Sequence, residues 1–163
     1  IVQFEGSGTI TNILFNQVGC SGMLQPLADI QTLAAGSVLK ELTTFTAGTI
    51  NISATKYLQS GVEETGIAMI FNSSNPTGGD LDLGTPHFSA VAGGPGVGMA
   101  GKPNQLFPNI VAQGNVIIIS EDGNTAEPDD NQFGGTITFD FDPPVDINSI
   151  GLLDNGAFHK SLA

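Results

Sequence analysis

Between Gly78 and Asp154 one pattern repeats: a short β-type run, then a turn crowded with carboxylates. Gly79-Asp80-Leu81-Asp82-Leu83-Gly84-Thr85-Pro86 opens the stretch, and a glycine loop leads from it to the apolar Val116-Ile117-Ile118-Ile119. The acidic segment Glu121 to Asp130 follows, then the alternating run Thr136 to Asp142, then Gly151-Leu152-Leu153-Asp154. Runs this short build strands joined by turns, because a helix needs a sustained 3.6-residue period that no long stretch here supplies. The 22 glycines and 9 prolines point the same way. The expected class is therefore all-β, a β-sandwich of jelly-roll type with long Gly/Pro-rich loops.

Taken in order, Ile1 to Phe15 reads as one or two strands broken at Gly6-Ser7-Gly8, and Val18 to Leu33 leaves room for no more than a short helical turn. Val38 to Phe45 favours a strand, since Thr43-Thr44-Phe45-Thr46 is rich in β-formers. Thr49 to Thr55 alternates, placing Ile50, Ile52 and Ala54 on one face, whereas Ile67-Ala68-Met69-Ile70-Phe71 is apolar on both, as a central strand requires. Pro86, Pro95, Pro103 and Pro108 make Gly84 to Asn109 mostly loop. In Thr136 to Asp142 the alternation turns Ile137, Phe139 and Phe141 inward, Pro143-Pro144 ends the run, and Val145 to Leu153 resumes.

Charge narrows the function classes. Four lysines stand against sixteen Asp and Glu, with no arginine, and the net charge of -12 repels phosphate backbones and anionic lipid. Nucleic acid is not expected as a partner on that ground, and no apolar run is long enough to span a bilayer as a helix, so membrane insertion is not expected. Hydrophobic residues make up 40% of the chain, too many for a disordered acidic tail. The lone Cys20 cannot close an internal disulfide. Asn51-Ile52-Ser53 and Asn72-Ser73-Ser74 fit the glycosylation sequon.

Gly96-Val97-Gly98-Met99-Ala100-Gly101 matches the dinucleotide G-x-G-x-x-G, and Gly96 to Lys102 matches most of a phosphate loop. Neither has its context: Pro103 stands where magnesium needs a hydroxyl, and Pro108 obstructs the following helix. Asp80, Asp82, Glu121, Asp122, Asn124, Glu127, Asp129 and Asp130 offer dense oxygen donors, with Asp154 a further one. Calcium takes six to eight oxygen ligands and needs no His or Cys, so bound Ca2+ at Asp80, Asp82, Glu121, Asp122, Asn124, Asp129, Asp130 and Asp154 is the expectation. The competing reading is a set of solvated turns, where Asp and Asn are favoured anyway. Neither His87 nor His159 has a nearby Ser or Cys in a recognisable nucleophile setting, so no enzyme activity is expected. With no Trp and only Tyr57 among the tyrosines, platforms for sugar stacking are scarce.

The residues 69–86, Gly114 to Asp122, Pro128 to Asn131, Gly134 to Phe139 and Ile150 to Asp154 resemble a group of secreted acidic β-modules found in extracellular and cell-surface proteins of marine bacteria and microalgae. The resemblance covers residues 34–154 and implies an exported module of matrix or adhesion type, with no reaction attached. In the related modules further strands follow the run like Gly151-Leu152-Leu153-Asp154, and Val2 to Ile10 resembles the strand that closes such a module, here placed first. Residues 1–15 are accordingly read as an N-terminal strand and 16–163 as the sandwich. That strand either folds back into its own sheet or enters a neighbouring subunit, with donation and a head-to-tail homopolymer favoured. The functional expectation is a calcium-stabilised extracellular structural or adhesive module. The alternative is a carbohydrate-binding module that takes glycans on the 84–109 loop.

Overall fold

The computed structural model describes residues 2–6, 9–16, 25–26, 28–44, 48–86, 97–99, 106–108 and 111–153. In chain order its strands are β1 (Val2–Gly6), β2 (Thr9–Asn16), β3 (Gln25–Pro26), β4 (Val38–Leu39), β5 (Glu41–Thr43), β6 (Thr49–Tyr57), β7 (Glu63–Gly66) and β8 (Ala68–Asn72). A 3-10 turn, η1 (Leu81–Leu83), is followed by β9 (Val97–Met99), β10 (Leu106–Pro108), β11 (Asn115–Ile119), β12 (Gly135–Asp142) and β13 (Asp146–Leu153). The strands are antiparallel throughout, as an all-β reading requires.

One sheet runs β1-β12-β6-β5, with β7 on the same edge of β6 as β5. The second runs β13-β2-β11-β8-β4, with β3 on β2. Alternation decides which faces meet. From the first sheet, Ile50, Ile52, Ile137 and Phe139 enter a shared core with Leu39, Ala68, Ile70, Ile117 and Ile119 of the second, as the two layers of a β-sandwich do. Phe141 is half-buried against this cluster, its ring 6.5 Å from that of Phe139.

β8 and β11 carry apolar residues on both faces, and both faces are used. Met69, Phe71, Val116 and Ile118 point away from the shared core into a second cluster completed by Leu83 of η1 and Leu153 of β13. Five successive buried residues in β11 are the signature of a strand covered on each side. The segment after β8 thus serves as a lid of protein over the outer face of the second sheet, and this cover puts Asp80 where it is.

Alternation failed to announce four elements, the first being β3, which pairs with β2 inside the stretch expected to hold no more than a short helical turn. β7 reads Glu-Glu-Thr-Gly, with three exposed residues, and owes its strand form to pairing with β6 from Ala54↔Gly66 to Tyr57↔Glu63. β9 and β10 form a two-stranded ribbon inside the stretch expected to be loop. The N-terminal segment lies within its own chain's sheets: β1 pairs with β12 from Val2↔Phe139 to Gly6↔Gly135, and β2 stands between β13 and β11.

Candidate functional site

Two loops meet beside η1. The first leaves β8 at Asn72, whose Oδ1 accepts the Ser74 N–H at 2.9 Å. It turns through Gly78 and Gly79, both with positive φ, into η1. Asp80 holds the position that begins η1 but its side chain does not cap it. Its Oδ2 instead accepts the backbone N–H of Asp130 at 2.6 Å, tying the first loop to the second.

The second loop, residues 121–130, is closed at its base by the Ser120↔Asp130 bridge and by Asn131 N–H donating to the Ile119 carbonyl at 2.8 Å. Thr77 Oγ1 donates to the Pro128 carbonyl at 2.7 Å, a second tie between the loops. Gly78 makes the approach possible: a Cβ there would stand 2.2 Å from the Cβ of Asp129. On its other side the loop rests on the turn before β4, where a Cβ on Gly36 would stand 1.9 Å from the Thr125 carbonyl oxygen. Both glycines have positive φ, so neither backbone conformation nor space admits a side chain.

The corner so formed is rich in carboxylates. Burial pushes the Asp80 carboxyl up to about 6; the Asp130 N–H pulls it down, the charges of Asp82 and Asp129 push it up again, and the Asp130 side chain lowers it slightly. Asp129 is also raised, by burial first and then by Asp122, Glu121 and Glu127. Its Oδ1 is buried and accepts no hydrogen bond. Unpartnered carboxylate oxygen away from water is costly, and either a proton or a cation relieves it.

The expected ligands do not form one set. Asp80, Asp82, Asp129 and Asp130 gather where the loops meet, and Asp80 responds to the other three. Asp122 and Asn124 are exposed and close their own turns, Asp122 Oδ1 accepting from Asn124 N–H at 2.7 Å and Asn124 Oδ1 from Ala126 N–H at 3.1 Å. Glu121 is exposed, and its carbonyl rather than its carboxylate is engaged, by Lys56 Nζ at 2.6 Å. Among the described residues, no three His, Cys, Asp or Glu side chains are placed to hold a metal ion together. Asp154, His87, His159 and Cys20 lie outside the described residues. Within the glycine motif, Val97–Met99 is strand, paired with β10.

Sequence reasoning missed the polar groups that position this corner. Ser73 and Thr85, both buried, share a hydrogen bond of 2.6 Å; Ser73 Oγ donates to the Gly114 carbonyl, and Thr85 Oγ1 accepts Gln113 N–H at 2.9 Å. The two ends of the 86–112 segment are thereby pinned together. Asn115 Nδ2 donates to the carbonyls of Ile30 and Leu33, at 3.0 and 2.7 Å, and holds the turn before β4 under the acidic loop. Only the placing of Asn115 at the head of an apolar run hints at this role. No protein-family model, curated protein or solved structure matches the chain.

Proposed function

We propose that the chain is a non-catalytic extracellular module of structural or adhesive type, stabilised by calcium where the 78–82 and 121–130 loops meet. The observation that carries the reading is the half-buried Asp80, tied to Asp130 and raised by the charges of Asp82 and Asp129, together with a buried Asp129 oxygen that has no hydrogen-bond partner. A hard cation would take oxygens from these carboxylates and from backbone carbonyls of the same loops. Because no three carboxylates among the described residues form a ready ligand set, backbone carbonyls would have to complete the coordination. A cation bound only by the folded chain adds RT ln(1 + [L]/Kd) to its stability. Thermal melts in saturating calcium and after exhaustive chelation test this. Identical melts, with no calcium heat by titration calorimetry, leave the solvated-turn reading in place. Turnover of a polysaccharide, ester or phosphodiester that is lost on one carboxylate substitution would overturn the non-catalytic part.

Assembly through the N-terminal segment belongs to the same proposal. β1 lies at the end of its sheet and β2 inside the other, so the segment spans both layers. A second copy's segment could occupy those places with identical register, converting a closed monomer into a head-to-tail chain. Deleting residues 1–15 should abolish polymers and leave a soluble, poorly stable monomer. An intact chain that stays monomeric at high concentration, its N-terminal amides protected from exchange, refutes assembly without touching the calcium reading.

Glycan binding is the second reading. It is favoured by Tyr57, Leu58 and Phe133 at one end of the first sheet, where Tyr57 N–H donates to Gly134 and Asn131 Nδ2 to Tyr57, with Leu58 and Phe133 exposed. Glycan-array binding that disappears in Tyr57→Ala would select it.

A further inference from the structure

The two sequons occupy different structural settings, and we infer that Asn51, and not Asn72, is an acceptor for an N-linked oligosaccharide. Asn51 and Ser53 lie on β6, in the pleat opposite the buried Ile50 and Ile52, and both are exposed. Across the same face Asn51 stands beside Asp140 of β12 and Glu41 of β5, which are exposed as well. A sugar on Nδ2 would therefore project from a solvated face bearing short or exposed side chains, with the core untouched. Asn72 is half-buried at the end of β8, its Oδ1 folded back on Ser74 N–H. The next residue, Ser73, is 1% exposed and locked to Thr85 and to Gly114, so a first sugar there would stand against a closed corner.

In the transfer, Asn51 Nδ2 attacks C1 of an oligosaccharide carried on a polyprenyl pyrophosphate. The N–C1 bond forms, the C1–O bond breaks, the pyrophosphate leaves with the electron pair, and the amide proton passes to the transferase's base. The glycan would cover the outer face of the first sheet, leaving the loop corner beside η1 and the β1 edge open. For its place in the cell the inference rests on the exported reading above.

The test is secretion of the full chain, behind a leader native to a glycosylating eukaryotic host, with site-resolved mass spectrometry of protein recovered from the medium. Expected is an added mass at Asn51 that peptide-N-glycosidase removes, absent from Asn51→Gln and Ser53→Ala and retained by Asn72→Gln. Treated and untreated protein should give the same circular dichroism spectrum. A folded secreted chain bare at Asn51, or one carrying glycan at Asn72, overturns the inference. Because the host supplies the leader, either failure leaves the exported calcium-stabilised reading standing, and that reading fails only by its own melts.

Discussion

Replacing Asp80 with Asn removes one negative charge from the loop corner and keeps an oxygen that can accept the Asp130 N–H. In the folded chain the Asp80 carboxyl is raised from 3.8 to about 6. Each pKa unit corresponds to about 1.4 kcal/mol, which would give about 3 kcal/mol for a dry site. Asp80 is only half-buried, and solvent screening reduces this to about 1–2 kcal/mol. Because the folded value lies above the unfolded one, the folded chain holds the extra proton between pH 3.8 and about 6. Stability therefore falls as pH rises through that window, and above it the whole cost of the buried charge is present. Asp80→Asn should then melt about 2–8 °C higher than the parent at pH 7.5 without calcium, at about 2–4 °C per kcal/mol for a chain of this size. At pH 4 most of the difference should vanish, since the parent's Asp80 is by then largely protonated. Saturating calcium should invert the order at pH 7.5, because only the parent keeps the ligand. Circular-dichroism melts across pH, with and without calcium, read all three. A lower melting temperature for Asp80→Asn in chelator at pH 7.5, or an offset independent of pH, refutes the reasoning.

Asn115→Ala removes the side-chain donor to the Leu33 carbonyl and one of the two donors to the Ile30 carbonyl, which keeps the Leu33 N–H, and should cost about 1–3 kcal/mol in urea unfolding. Gly36→Ala and Gly78→Ala combine positive φ with a clash against the 121–130 loop and should each cost about 2–5 kcal/mol. Gly61→Ala has the same sign of φ with nothing within 4 Å, and should cost only about 1–2 kcal/mol, so equal losses at the three positions would show that the loop contact is unimportant. Replacing residues 88–110 by a short glycine linker should leave exchange protection in β8 and β11 intact, since Thr85 and Gln113 are already joined across the loop's base; loss of that protection would show that the ribbon of β9 and β10 is part of the core.

Period-two alternation was enough to identify β6 and β12, because a strand half buried against a partner sheet must present every second residue to it. Continuous apolar runs were enough for β8 and β11, because a strand covered on both faces has no polar side to show. Composition told that the chain carries far more negative than positive charge, and residue order that its carboxylates crowd into turns. What it could not tell is which carboxylates meet. Asp80 and Asp130 are fifty residues apart, and their hydrogen bond exists only because the cover over Met69 and Phe71 brings η1 against the 121–130 loop. Asp122 and Asn124, equally acidic or polar in the sequence, are used up by their own turns, which is a local preference of Asx side chains rather than a ligand role. The strand β7 was invisible for the converse reason: Glu63 and Glu64 are disfavoured in a sheet, Thr65 alone is too little to mark one, and main-chain pairing with β6 supplies the order. Local patterning thus decided the elements, while the close approaches at Gly36 and Gly78 and the buried ties of Ser73, Thr85 and Asn115 decided which of them came together. Contacts between residues so distant in the chain leave no period in it.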